Sequence, residues 1–350
     1  MDKEKNKIRI IYYDVLNIMA IIAVISLHCN GIVHGDPNIR AWNTSLIVEC
    51  IFYWAVPIFF MLSGATLMKY REKYDTKTFF RKRIAKILVP FSFWAILMLL
   101  WKIKIKAIGI NEINSIKDFI NIILQNREES TYYFMFEILG IYLTMPLLSL
   151  LAREEYKKTL FFTVILYYIF NSLLPNLSTL FGIQYNNSLK VQIGEYIVYV
   201  LLGYLLSNEK LEKRQRIIIY ILAILGIVFR YMTTFILSKN AGYVVKTTWG
   251  YTSWHCIVLA CAVFIFIKNL HLEEKLENYK KISNIITKVS SCSFGVYLIH
   301  LFVKHYEIRL LGLNEYTWQF RTLGVILTYI ISLGIVYILK KIPIVKRIVP

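Results

Sequence analysis

No stretch of the chain is rich in Pro, Gly or Ser, no tract is of low complexity, and no segment repeats another. Nothing therefore marks a linker or a second domain, and residues 1–350 read as one domain. Nucleotide and hydrolase signatures are missing too: there is no Walker glycine loop, no G-x-G-x-x-G and no G-x-S-x-G elbow. The five cysteines include no C-x-x-C pair, and no His/Cys spacing suits zinc. They read as packing residues, so no metal and no tightly bound cofactor are expected. The first apolar run is too long for the h-region of a cleaved signal peptide, and no small-residue cleavage site follows it. It reads as a permanent first span.

What the chain has in abundance is apolar surface. Hydrophobic residues make up 57% of it, and the mean hydropathy is +0.52, beyond what a water-soluble domain carries. A crossing of roughly 30 Å of hydrocarbon needs about 20 mostly apolar residues. About ten stretches approach that length: 8–33, 45–68, 84–101, 131–152, 159–175, 191–206, 217–238, 250–267, 292–311 and 318–339. They are too long and too uniformly apolar for barrel strands, so the expected fold is all-α, an integral membrane bundle of about ten transmembrane helices. With the N-terminus inside, the inner loops hold most of the 41 Lys and Arg residues, which predicts both termini on the cytoplasmic side of a multi-pass cell-membrane protein. The same bias accounts for the net charge of +19. Its carriers, such as "KYREKYDTKTFFRKRIAK", are short connectors beside anionic headgroups, and no nucleic-acid partner is expected.

Polar groups inside the spans carry the functional signal, because a charge near the bilayer centre costs roughly 2.5–3.5 kcal/mol on insertion scales. The first span, "YYDVLNIMAIIAVISLHCNG", holds Asp14, Asn17 and His28. Asn17 and His28 are about 1100° apart at 100° per residue, within about 20° of whole turns, and Asp14 lies within about 60° of Asn17. All three share one helix face. Taken singly, each has a plain structural reading: an interfacial aspartate, an asparagine bonded to a neighbouring helix, a satisfied histidine at the outer edge. Together they suggest a lined cavity, which periodicity alone assigns equally to a transporter or an enzyme. Glu49, Glu137, Glu195, Arg230, His255 and His300 also lie in or near apolar runs. Glu49 and His255 read equally well as solvated helix ends, and Arg230 as a structural partner for a carboxylate of another span.

Several stretches, in order, resemble the acyltransferase family three, multi-pass membrane enzymes that modify cell-surface polysaccharides, peptidoglycan, antibiotics and lipids. "DVLNIMAIIAVISLHCNG" is similar to that family's first span, "VPIFFMLSGATLM" to its second, and "FFRKRIAKILVPF" to the basic loop before its third. "YYFMFEILGIYLTMPLL" matches its fourth span and "SFGVYLIHLF" a late one. The family commonly has an arginine, ten residues and a histidine in the first span. The histidine maps onto His28, the arginine onto Asn17, and an acidic residue three before it onto Asp14. A second family motif, RxxR, maps onto Arg83 and Lys86, keeping charge but losing bidentate geometry at the second position. Ser63 with Gly64, and Tyr297 with His300, match without departure.

The resemblance implies transfer of an acyl group, acetyl foremost, from acyl-CoA to a hydroxyl of a glycan or lipid-linked glycan. Such a reaction needs a base of near-neutral pKa beside the hydroxyl, which points to His28, with Asp14 and Asn17 completing the first-span site. Arg81, Lys82, Arg83 and Lys86 are the expected donor-binding cluster, equally readable as positive-inside residues. Ser63, Glu137, Glu195, Tyr297 and His300 are the expected substrate-cavity residues. A transporter or polysaccharide-export component of the same architecture is the alternative, with the substituted arginine as its best support.

Overall fold

The computed structural model describes residues 9–349. Its principal helices, numbered in chain order, are α1 (Ile11–His28), α2 (Arg40–Phe52), α3 (Ala55–Leu67), α4 (Val89–Lys104), α5 (Tyr133–Leu148), α6 (Lys157–Tyr167), α7 (Ile197–Asn208), α8 (Lys213–Ala241), α9 (Trp254–Lys268), α10 (Lys280–Leu311) and α11 (Val325–Leu339). There is no strand among the described residues. Nine helical segments among them are long and apolar enough to cross a bilayer. The sixth of the expected stretches forms α7, whose 12 residues cover only about 18 Å at 1.5 Å per residue. The chain is a multi-pass membrane bundle.

The lipid-facing and protein-facing surfaces separate as a bilayer requires. Leu16, Ala20, Ile21 and Ile25 of α1 are fully buried, whereas Ile221, Ile224 and Leu225 of α8 and Ile326, Ile330 and Ile338 of α11 are exposed. In water such a belt would be an association surface. In hydrocarbon it is the solvated face, and burial of small residues takes over the work of joining helices.

That exchange is visible where α3 meets α7. A Cβ on Gly64 would overlap the carbonyl of Val200, and one on Gly203 would overlap the carbonyl of Met61. The two backbones touch because neither position carries a side chain. The second span is broken between α2 and α3 by a turn at Tyr53 and Trp54. Pro57 lacks the amide that would bond the carbonyl of Tyr53, and that carbonyl instead accepts from Cys256 Sγ at 3.7 Å. Glu49 and Tyr53 sit just before this break, facing the bundle interior.

Helix α1 lies at the centre, in contact with α2, α3, α9, α10 and α11. It runs parallel to α10: residues 14, 17 and 28 meet residues 287, 290 and 300 in an almost constant register.

Candidate active site

The polar face of α1 is matched by a polar face on α10. Arg9 clamps Asp14 with two bonds, Nε to Oδ2 at 2.7 Å and Nη2 to Oδ1 at 2.8 Å, and the Thr287 hydroxyl donates to Oδ2 at 3.2 Å. One turn on, the Asn17 amide nitrogen donates to the carbonyl and hydroxyl oxygens of Ser290, both at 3.0 Å. At the far end of α1, about 16 Å beyond Asn17, His28 Nδ1 lies 2.7 Å from His300 Nε2, with the two rings within 10° of coplanar. Lys304 Nζ donates to the carbonyl of His28 at 2.7 Å, satisfying an acceptor at the end of the helix.

The protonation pattern of the histidine pair follows from its partners. His300 Nδ1 is 2.6 Å from the carbonyl of Tyr297, and a carbonyl only accepts, so Nδ1 carries the hydrogen. In neutral His300, Nε2 is then the acceptor, which makes His28 Nδ1 the donor. His28 Nε2 is left with its lone pair free. It has no protein partner among the described residues, and His28 lines a cavity. A backbone carbonyl and a second histidine thus hold one imidazole in the tautomer of a general base, as the carboxylate does in a hydrolase triad.

Two cavities flank this seam. The first, of about 490 Å³, is lined by Arg9, Asp14, Asn17, Ser63, Arg83 and Lys86. Lys86 sits in a π-helical turn, Ile84–Leu88, between the basic helix Thr76–Arg83 and α4. The Arg83 guanidinium lies over the ring of Tyr142 at 5.7 Å, and its Nε is buried without a hydrogen-bond partner. Three cations against one carboxylate give this cavity a surplus of positive charge. The second cavity, of about 250 Å³, contains His28 and His34 with Glu49, Tyr133, Trp249 and Tyr251. Phe59, Phe134 and Tyr297 line both and form the wall between them.

The predicted residues distribute unevenly over this geometry. Asp14, Asn17, Ser63, Arg83, Lys86 and Tyr297 come together around the first cavity, and His28 and His300 pair beside the second. Arg81 is exposed, Lys82 covers the ring of Tyr74 at 3.9 Å, and neither lines a cavity. Glu137 and Glu195 are exposed and line neither cavity. Arg230 does find a carboxylate, Glu49, at 3.4 Å. His255 is buried rather than at a solvated end. Arg9 is the site residue that sequence reasoning missed. It stands among the charges that precede the first span, where it reads as a topology signal, and only the fold brings it back onto Asp14.

One comparison shows the family of the chain. The family model for the acyltransferase domain of family 3 matches residues 10–340, nearly the whole chain. The chain belongs to acyltransferase family 3. It is a membrane acyltransferase. No curated protein and no solved structure matches the acyltransferase.

The Asn17 substitution acquires a physical reading in this frame. The acyltransferase has a guanidinium at this end of α1 after all, supplied by Arg9 from before the helix and fixed on Asp14. Two of its five N–H donors are taken by the carboxylate, and Arg9 lines the first cavity.

Proposed function

We propose that this acyltransferase moves an acetyl group from acetyl-CoA to a hydroxyl of a cell-surface polysaccharide or its lipid-linked precursor, in the cell membrane, with His28 as the base. The observation that carries the reading is the chain from the Tyr297 carbonyl through His300 to His28, which leaves Nε2 unprotonated beside a cavity. His28 takes the proton of the acceptor hydroxyl as its oxygen attacks the thioester carbonyl. The C–S bond then breaks, and the proton passes to the departing thiolate. No resident cofactor enters the balance.

The donor binds from the first cavity. Arg9, Arg83 and Lys86 offer the positive charge that phosphates require, and the unmet Arg83 Nε is a donor in want of an acceptor. The thin arm between phosphates and thioester then crosses the wall formed by Phe59, Phe134 and Tyr297 toward His28. The Lys and Arg bias of the loops supports a first cavity on the cytoplasmic side, where acyl-CoA is made, and a second toward the outer face.

The test is transfer of labelled acetyl from acetyl-CoA into envelope material by membranes carrying the protein, with Arg9→Gln and Arg83→Gln beside wild type. Loss of one charged hydrogen-bonding group predicts a KM for acetyl-CoA raised roughly tenfold or more in each variant, with a smaller change in kcat. Unchanged KM in both would remove the first cavity as the donor site, and absence of any transfer by wild type would remove acetyl-CoA as the donor.

A further inference from the structure

The second cavity is lined by a buried carboxylate, Glu49, whose partner Arg230 lies outside the lining, and the proton transfer just described uses neither. Glu49 is only 5% exposed and lines the cavity with His28. Arg230, 1% exposed, reaches Glu49 Oε1 through Nη2 at 3.4 Å. The guanidinium lies 3.4 Å from the ring centre of Tyr53 and 5.3 Å from that of Trp249, and its Nε and Nη1 find no partner among the described residues. An ion pair at this depth is costly and is more than packing of α2 against α8 would require. Beside it the cavity wall is aromatic: Tyr53 and Tyr251 stack with ring centres 4.2 Å apart, and Tyr133 and Trp249 continue the surface.

These features select among ligands by elimination. An anion would face the carboxylate of Glu49. A cation would compete with Arg230, which already occupies the aromatic face and the carboxylate. An apolar chain would cover Glu49 and His28 without giving either a hydrogen bond, at the cost of their desolvation. A neutral polyhydroxylated ring meets all three conditions, because its C–H face packs on aromatic rings while its hydroxyls donate to a carboxylate and an imidazole. A cavity of about 250 Å³ has room for one six-membered sugar ring.

We infer that Glu49 is the acceptor-positioning carboxylate of this enzyme: a neutral sugar ring packs on Trp249 and Tyr251, donates one hydroxyl to Glu49, and presents a neighbouring hydroxyl to His28 Nε2. Arg230 holds Glu49 in place from behind. The role given to His28 rests on the acyl-transfer reading, whereas the sugar subsite stands on the cavity and can be tested without turnover.

The experiment follows carbethoxylation of His28 by diethyl pyrocarbonate in the purified full chain, in a detergent without a sugar headgroup, read by mass spectrometry. Exposed His271 is the internal reference. The probes are methyl glucoside and N-acetylglucosamine, with glycerol as a hydroxylated compound that has no ring to stack. The ring sugars are expected to slow modification of His28 severalfold and glycerol to leave it unchanged. In Glu49→Gln the sugar concentration needed for protection is expected to rise about tenfold or more. Because that variant leaves the Arg230 charge uncompensated, the double variant Glu49→Gln with Arg230→Gln, which removes both charges, is measured beside it and is expected to show the same loss. Failure of both sugars to protect wild type, or equal protection in the folded variants, overturns the inference. Protection without any transfer of labelled acetyl to the same sugars would keep the subsite and take away the acyl-transfer reading.

Discussion

Among the six histidines of the chain, His28 is distinguished by its partner rather than by its place in a motif. His255 is buried, and neither of its ring nitrogens has a hydrogen-bond partner among the described residues that meets ordinary geometry. His28 has Nδ1 fixed by His300, and its Nε2 has no protein partner among the described residues. Glu128 shows the same logic in a carboxylate. It precedes the fourth span, is 1% exposed and has both oxygens unpartnered, and burial pushes its pKa up to about 7. A carboxyl whose folded pKa is raised holds its proton in the folded state. Its burial costs nothing below the unfolded pKa of 4.5, and stability is lost as pH rises from there to about 7 and stays lost above it. Glu128→Gln, which is neutral at every pH, is therefore expected to raise the melting temperature at pH 8 and to leave it unchanged at pH 4. Thermal unfolding in detergent at the two values checks this, and an equal shift at both would contradict it.

At the scale of helices, two kinds of seam hold the site. The α1/α10 seam is polar and aligned residue by residue, with hydrogen bonds at each end and in between. The α3/α7 seam is made by absence of side chains, at Gly64 and Gly203. Since backbone atoms and not flexible side chains occupy the space of the missing Cβ, Gly64→Ala and Gly203→Ala are each expected to cost about 1–3 kcal/mol or more. Both should lower yield and thermal stability of the detergent-solubilised protein, and a wild-type melting profile for either would show that the two helices are not in contact. Much of this level was legible in sequence. The apolar stretches and the shared face of Asp14, Asn17 and His28 follow from length and from the 3.6-residue period, which are local properties. The answering face on α10 was not legible, because Thr287 and Ser290 are unremarkable residues in any span. Nor was the pairing of Glu49 with Arg230, 181 positions away, since periodicity orders residues within a helix and is silent on which helices meet.

The whole molecule places three cations and a paired histidine on opposite sides of one aromatic wall. The first cavity holds Arg9, Arg83 and Lys86, the second His28 and Glu49, and Phe59, Phe134 and Tyr297 belong to both. The proposed function rests on His28 as the base and His300 as its orienting partner. The direct measurement is the rate of acetyl transfer from acetyl-CoA at saturating donor, by wild type, His28→Ala and His300→Phe at matched membrane expression. Loss of a general base predicts a fall of roughly 10²–10⁴-fold in His28→Ala. His300→Phe keeps an aromatic ring but removes the acceptor for His28 Nδ1, and is expected to lower kcat by about tenfold or more with little change in the KM for acetyl-CoA. Transfer at the wild-type rate in His28→Ala would contradict the account.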